Sequence, residues 1–204
     1  MNRMVKNTTA PRGRPRQFNE REALDGALRA FWTKGYEGTT LDDLVEATGV
    51  GRPSLYATFG DKEALFARCL RHYVETMGAI TTKAFESAKD APSAVRAFLR
   101  QAVLNATSKD GPRGCFMSCV APATSDEKIR AFLASAYDDA AAMIGKRLHD
   151  GVGAGELPRD YPVQTRARAV LDASTSLTLR ARLGARREEL LAAADDWAAL
   201  LVRV

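Results

Sequence analysis

Apolar residues recur along this chain at helical spacing, and prolines and glycines cut the stripes into segments. From Glu20 the stripe reads Ala23, Leu24, Ala27, Leu28, Phe31 and Trp32, closed by Gly35 and Gly38. It returns after Asp61 as Leu65, Phe66, Cys69, Leu70, Tyr73, Met77 and Ile80. Beyond Pro92 come Val95, Phe98, Leu99, Ala102 and Val103, then Ile129, Phe132, Leu133, Ala136, Tyr137, Ala140, Met143 and Ile144. The glycine-rich stretch from Gly151 to Pro162 reads as a loop, followed by stripes through Val170, Leu171, Ser174, Leu177 and Thr178 and through Leu190, Leu191, Ala194, Trp197, Ala198 and Leu201. Alternation of β-branched and polar residues is absent at useful length, so the pattern predicts an all-α fold.

Between the first two stripes lies a compact unit. Thr40 precedes Leu41, Leu44 and Val45 with Asp43 three positions on, a variant of the capping box, and Gly49 ends that short helix. The next begins near Arg52, with Pro53 in its first turn, buries Leu55 and Phe59, and stops at Gly60 before Asp61 caps the long helix. Two short helices joined by a glycine-containing turn and braced by a preceding helix make a helix-turn-helix unit.

Composition narrows the class. In 204 residues, 46% are apolar and 27% charged, which excludes disorder as the main state and fits one full-sized domain or a small domain fused to a larger one. The net charge of +5 is concentrated: residues 1–17 hold Arg3, Lys6, Arg12, Arg14 and Arg16 and no acid, leaving 25 basic against 25 acidic residues elsewhere. Such a tail suits either contact with a polyanion, through counterion release, or a solvated leader. Three cysteines, Cys69, Cys115 and Cys119, are too few for a disulfide framework, and no apolar leader segment or bilayer-length run occurs, so a cytoplasmic protein is expected.

The unit resembles the TetR family of bacterial transcriptional regulators. Phe31, Gly35 and Tyr36, then Thr39-Thr40-Leu41-Asp42-Asp43-Leu44, Ala47, Gly49-Val50, Leu55-Tyr56, Phe59 and Lys62-Glu63-Ala64-Leu65 fall at that family's spacing. Val45 stands where the family usually keeps alanine, Gly51 where a capping serine is common, and Pro53-Ser54 replaces a more frequent pair in the second short helix, so family operators do not transfer. The resemblance implies a basic arm over residues 1–17, a helix-turn-helix DNA-binding domain over 18–64 and a helical ligand-binding and dimerisation domain over 65–204. The protein it implies is a homodimeric repressor that reads an inverted repeat in double-stranded DNA and is released by a small, mostly hydrophobic effector, with no catalytic activity, cofactor or membrane contact.

Such a unit lays its second helix in the major groove with N-terminal residues at base edges. Arg52 can then make two parallel bonds to guanine, worth about 1–3 kcal/mol of discrimination, or contact a phosphate. Ser54 suits either a base or a phosphate, and Gly51 permits close backbone approach. Tyr56 resembles the family tyrosine that reaches a phosphate, while Thr40 and Lys62 stand at helix N-termini suited to one. The run Arg12-Gly13-Arg14-Pro15-Arg16 resembles the core of an AT-hook, an arm for narrow A·T-rich minor grooves, with looser phosphate attraction as the alternative.

The resemblance places dimerisation on the last two helices, where small and large apolar residues mix: Ser174, Leu177, Ala181, Leu191, Trp197, Ala198 and Leu201 are the expected contacts. Met77, Phe98, Phe116, Met117 and Tyr137 are the expected effector-binding residues. Cys115 and Cys119, four apart, fit either a redox sensor or small buried apolar residues, with only Arg113 near enough to lower a thiol pKa. His72 and His149 have no partners at metal-ligand spacing, so no metal site is expected. A second domain that only dimerises is the remaining alternative.

Overall fold

A computed structural model describes residues 18–203, and the arm residues Arg12, Arg14 and Arg16 lie outside it. Helix α1 spans Glu20–Gly38, capped by the Asn19 side chain, which accepts from the N–H groups of Arg21 and Glu22. Its geometry breaks at Gly35, where φ is +75°, and the Thr39 hydroxyl donates to the Gly35 carbonyl at 2.6 Å. Helix α2, Leu41–Thr48, carries the full capping box: Asp43 N–H donates to Thr40 Oγ1 at 3.2 Å, and Thr40 N–H to Asp43 Oδ2 at 2.8 Å. Lys34 Nζ donates to the second Asp43 oxygen at 2.6 Å, and these bonds, the lysine's foremost, hold the carboxyl at a pKa of about 2. Helix α3 spans Arg52–Phe59 and α4 Lys62–Tyr73.

The chain does not leave the helical region after α4. A π-helical turn, Val74–Gly78, carries it directly into α5, Ala79–Glu86. Then come α6 (Ala91–Ala106), the short α7 (Phe116–Cys119), a 3-10 turn (Ala121–Ala123), α8 (Glu127–Gly153), α9 (Val163–Arg182) and α10 (Arg187–Val202). The expected loop at Gly151 starts later, because α8 runs through Gly151 and Gly153. Gly151 serves contact here: a Cβ would sit 2.6 Å from the Ala91 side chain, so only glycine lets α8 pass the start of α6 this closely.

Side chains gather in two cores. The first joins α1 to α4 with Phe116, Val120, Ala121 and Ile129; the second joins α6 and α8 to α10. The expected boundary after residue 64 therefore falls inside α4, whose Leu65, Phe66, Cys69, Leu70 and Tyr73 all pack in the first core. Phe116, expected at the effector, is instead fully buried there among Trp32, Phe66 and Tyr73, with ring centroids 5.5–6.0 Å apart.

Most of the residues expected at the dimer contact turn inward within this chain. Leu177, Ala181, Ala198 and Leu201 are buried within this chain, and Leu191 packs against the second core, because α10 lies on both α6 and α9. Periodicity marked the apolar stripe of each helix, and that stripe faces inward. The outer face carries Leu179, Leu183 and Leu200 with Trp197, and Leu183 is 77% exposed.

Two predictions follow from this packing. A Cβ on Gly26 would lie 2.1 Å from the Ala47 carbonyl oxygen, so Gly26→Ala must push α1 off α2 and should lower unfolding free energy by about 1–3 kcal/mol in urea titration. Since folding depresses the Asp43 pKa, its contribution is complete above the ordinary carboxylate range and disappears as pH falls toward about 2. Asp43→Asn should flatten stability over that acid window in pH-dependent melts, and an unchanged acid limb would refute the assignment.

Candidate DNA-reading surface and ligand cavity

The helix-turn-helix presents one polar face. Arg52, the first residue of α3, is exposed along with Gly51, Ser54 and Tyr56, while Leu55 and Phe59 anchor the helix from beneath. Thr40 stands exposed at the start of α2. Lys62 is half-buried at the start of α4, its ammonium 4.5 Å from the centroid of the Tyr36 ring. The structure thus brings the expected residues Thr40, Gly51, Arg52, Ser54, Tyr56 and Lys62 to the N-terminal turns of three adjacent helices and the exposed side of α3. Spacing does not reveal the partner of Arg52: its Nη2 donates to Asp42 Oδ1 on α2 at 2.5 Å. Ten residues separate the two across a turn, so no helical periodicity announces the pair.

Polar contacts fix α4 against this face. Arg68 donates from Nη2 to Glu20 Oε2 at 2.9 Å and from Nη1 to the Thr58 carbonyl at 3.0 Å, with its guanidinium 4.7 Å from the Phe59 ring centroid. One side chain therefore ties α1 and α3 to α4. The buried His72 ring lies 2.6 Å, Nε2 to Oδ1, from Asp25 on α1.

A cavity of about 1180 Å³ lies where the two cores meet. Met77, Phe98, Met117 and Tyr137, the residues expected to meet an effector, line it; Ser174, expected at the dimer contact, lines it too. Its size suits a small organic ligand and its wall is mainly apolar. Much of one wall is the π turn, contributing Val74, Met77 and Gly78 beside Tyr73 and Ala79. Polar groups there are largely satisfied within the protein: Asn105 Nδ2 donates to Thr81 Oγ1 at 3.0 Å, Ser118 and Thr178 share a hydrogen bond at 3.2 Å, and the Tyr137 hydroxyl donates to Asp172 at 2.9 Å. The sequence pattern did not single out Asn105, Ser118 or Asp172, because isolated polar residues within helices carry no periodic signal.

The cysteines divide by environment. Burial pushes the Cys69 thiol far up, leaving it protonated. Cys115 lines the cavity and its Sγ accepts from the Tyr73 hydroxyl at 3.4 Å, a phenol that burial keeps protonated. Arg113, the one cation near the cysteines in sequence, donates instead to the carbonyls of Ala181, in the last turn of α9, and Ala185, just beyond its end. Among the described residues no group of three or more His, Cys, Asp and Glu could hold a metal ion, and no helix is long and apolar enough to cross a membrane.

Comparison with known proteins agrees with this geometry. Residues 23–69 match the family model described as bacterial regulatory proteins, tetR family. Over 183 residues, 88% of this chain and 87% of the relative, the sequence is 35% identical to the HTH-type transcriptional repressor ComR of Escherichia coli K12. It is 30% identical over 105 residues, about half of each chain at 52% and 53%, to the HTH-type transcriptional repressor BdcR of the same organism. The structure of the TetR family transcriptional regulator CifR, a cysteine-substituted form solved with 26-bp double-strand operator DNA, matches with a TM-score of 0.84 at 32% identity, covering 91% of this chain and 98% of that one. With a matching helix-turn-helix, a relative aligned over most of both chains and the same fold solved on operator DNA, this protein belongs to the TetR family of bacterial transcriptional regulators.

Proposed function

We propose that the protein is a cytoplasmic, homodimeric repressor that leaves its operator when a small, mostly apolar effector enters the cavity, and that it acts by binding alone, without catalysis. The observation that carries this reading is the wall of the cavity. The π turn is continuous with α4, whose N-terminal end stands at the DNA-reading face, so a ligand pressing on Val74 or Met77 acts on one helix with the recognition unit at its far end. A ligand that prefers one setting of this helix shifts the population toward it and changes the spacing of paired recognition helices.

On DNA, α3 enters the major groove with Arg52 at a base edge and Ser54 beside it, and Gly51 lets the backbone come close. Tyr56, Thr40 and Lys62 hold phosphates, and Arg12, Arg14 and Arg16 follow the neighbouring minor groove or its phosphates. Dimerisation uses the outward face of α9 and α10, where Leu179, Leu183, Leu200 and Trp197 offer an apolar strip that a second copy would cover. Names of related repressors support the direction of control in this proposal.

The reading is tested with purified protein and an operator obtained by selection from random duplex DNA. Leu183→Glu should yield monomer in sedimentation and weaken operator binding severely, since one half-site then binds alone. A screen of apolar compounds should raise the melting temperature and release operator in parallel. Ala140→Trp, which fills part of the cavity, should abolish both responses while leaving operator affinity within about threefold. A screen in which no compound shifts melting would leave the second domain with dimerisation only.

A further inference from the structure

The Asp42–Arg52 pair sits where a polyanion is expected to dock, and its carboxylate is costly there. Asp42 lies in the first turn of α2 with its side chain 80% exposed; Arg52 opens α3 with its side chain 54% exposed. A carboxylate on a phosphate-facing surface opposes DNA binding by repulsion. An exposed ion pair also adds little to stability. The carboxylate's place in the first turn of α2 favours that helix, but neither general affinity nor folding calls for its bond to Arg52.

Geometry supplies another role. Asp42 engages Nη2 of Arg52, and among the described residues no other protein acceptor binds that guanidinium, so the remaining donors of the fork are uncommitted. An unpaired arginine at this position samples many rotamers and reaches several phosphates and base edges. Held by Asp42, it offers its remaining donors from one position, and hydrogen bonding to guanine O6 and N7 depends on such alignment. We infer that Asp42 is a specificity-determining positioning residue: it holds Arg52 at one base of each half-site and weakens attraction to all other DNA. This role rests on the proposed reading of a base by Arg52.

The test compares Asp42→Ala, Asp42→Asn, Arg52→Ala and the double variant Asp42→Ala/Arg52→Ala, all as full-length protein. Base preference is measured by selection from random duplex DNA, and affinity for random-sequence duplex by titration at several salt concentrations. Arg52→Ala should abolish preference at one half-site position. At that same position Asp42→Ala should lower the preference at least about threefold, while random duplex binds more tightly with a salt slope steeper by up to about one. Asp42→Asn, whose amide oxygen still accepts from the guanidinium, should retain most of the preference and show the tighter non-specific binding. In the Arg52→Ala background, Asp42→Ala should change base preference no further.

Asp42→Ala with undiminished preference, where Arg52→Ala loses it, overturns the inference and leaves the base reading by Arg52 standing. Loss of preference at a different position would make Asp42 a direct DNA contact and overturn it as well. If Arg52→Ala alters no position, the base reading itself fails, and the positioning role with it.

Discussion

The structure depends on one continuous helical run, Lys62 to Glu86, that belongs to both halves of the molecule. Its first turns bury Leu65, Phe66, Leu70 and Tyr73 against α1 and so complete the small core beneath the recognition helix. Its middle, in π geometry, forms cavity wall, and Phe85 near its end is buried in the second core. A three-helix unit as small as α1 to α3 buries little apolar surface by itself, and α4 supplies the missing wall. The same dependence is what the proposed control through α4 would use.

Polar contacts determine how rigidly the run is held at each end. At the DNA side, Arg68 and the His72–Asp25 bond fix α4 to α1 and α3. At the cavity side, the segment joining α6 to α7 is tied to α9 and α10 by arginines that satisfy backbone carbonyls. Arg113 reaches Ala181 and Ala185, Arg182 returns to the Arg113 carbonyl at 3.2 Å, and Arg187 donates to the Thr107 carbonyl at 2.5 Å. These bonds hold Cys115, Met117 and Ser118 against the cavity. The π turn contains no buried residue and lies between these two braced regions.

The DNA-reading face shows a balance of another kind. Affinity for a polyanion would favour a surface of cations alone, yet Asp42 contacts Arg52, the arginine proposed to read a base. Charges of both signs on this face, if it docks DNA as proposed, would exchange general attraction for geometric definition.

The all-α class, the capping box at Thr40, the turn glycines and the recognition unit were all legible in the chain, because caps, turns and 3.6-residue periodicity are local and act through neighbours in sequence. Of the cavity residues, Met77, Phe98 and Tyr137 were legible as apolar helix positions and Met117 only as an adaptable side chain. Which of them meets empty space and which meets another ring was not: Phe116 and Met117 are adjacent, and one closes an aromatic core while the other lines the cavity. Leu177 and Leu179 differ in the same way, one fully buried and the other 48% exposed. The sequence by itself determined the long helices, the caps and turns around the recognition unit, and the apolar stripe of each helix, but not the end of α8, the short α7 or the π turn. Only the tertiary structure decided what each face meets, paired Arg52 with Asp42 across a turn and left a cavity between two cores, because those outcomes depend on how helices distant in sequence pack.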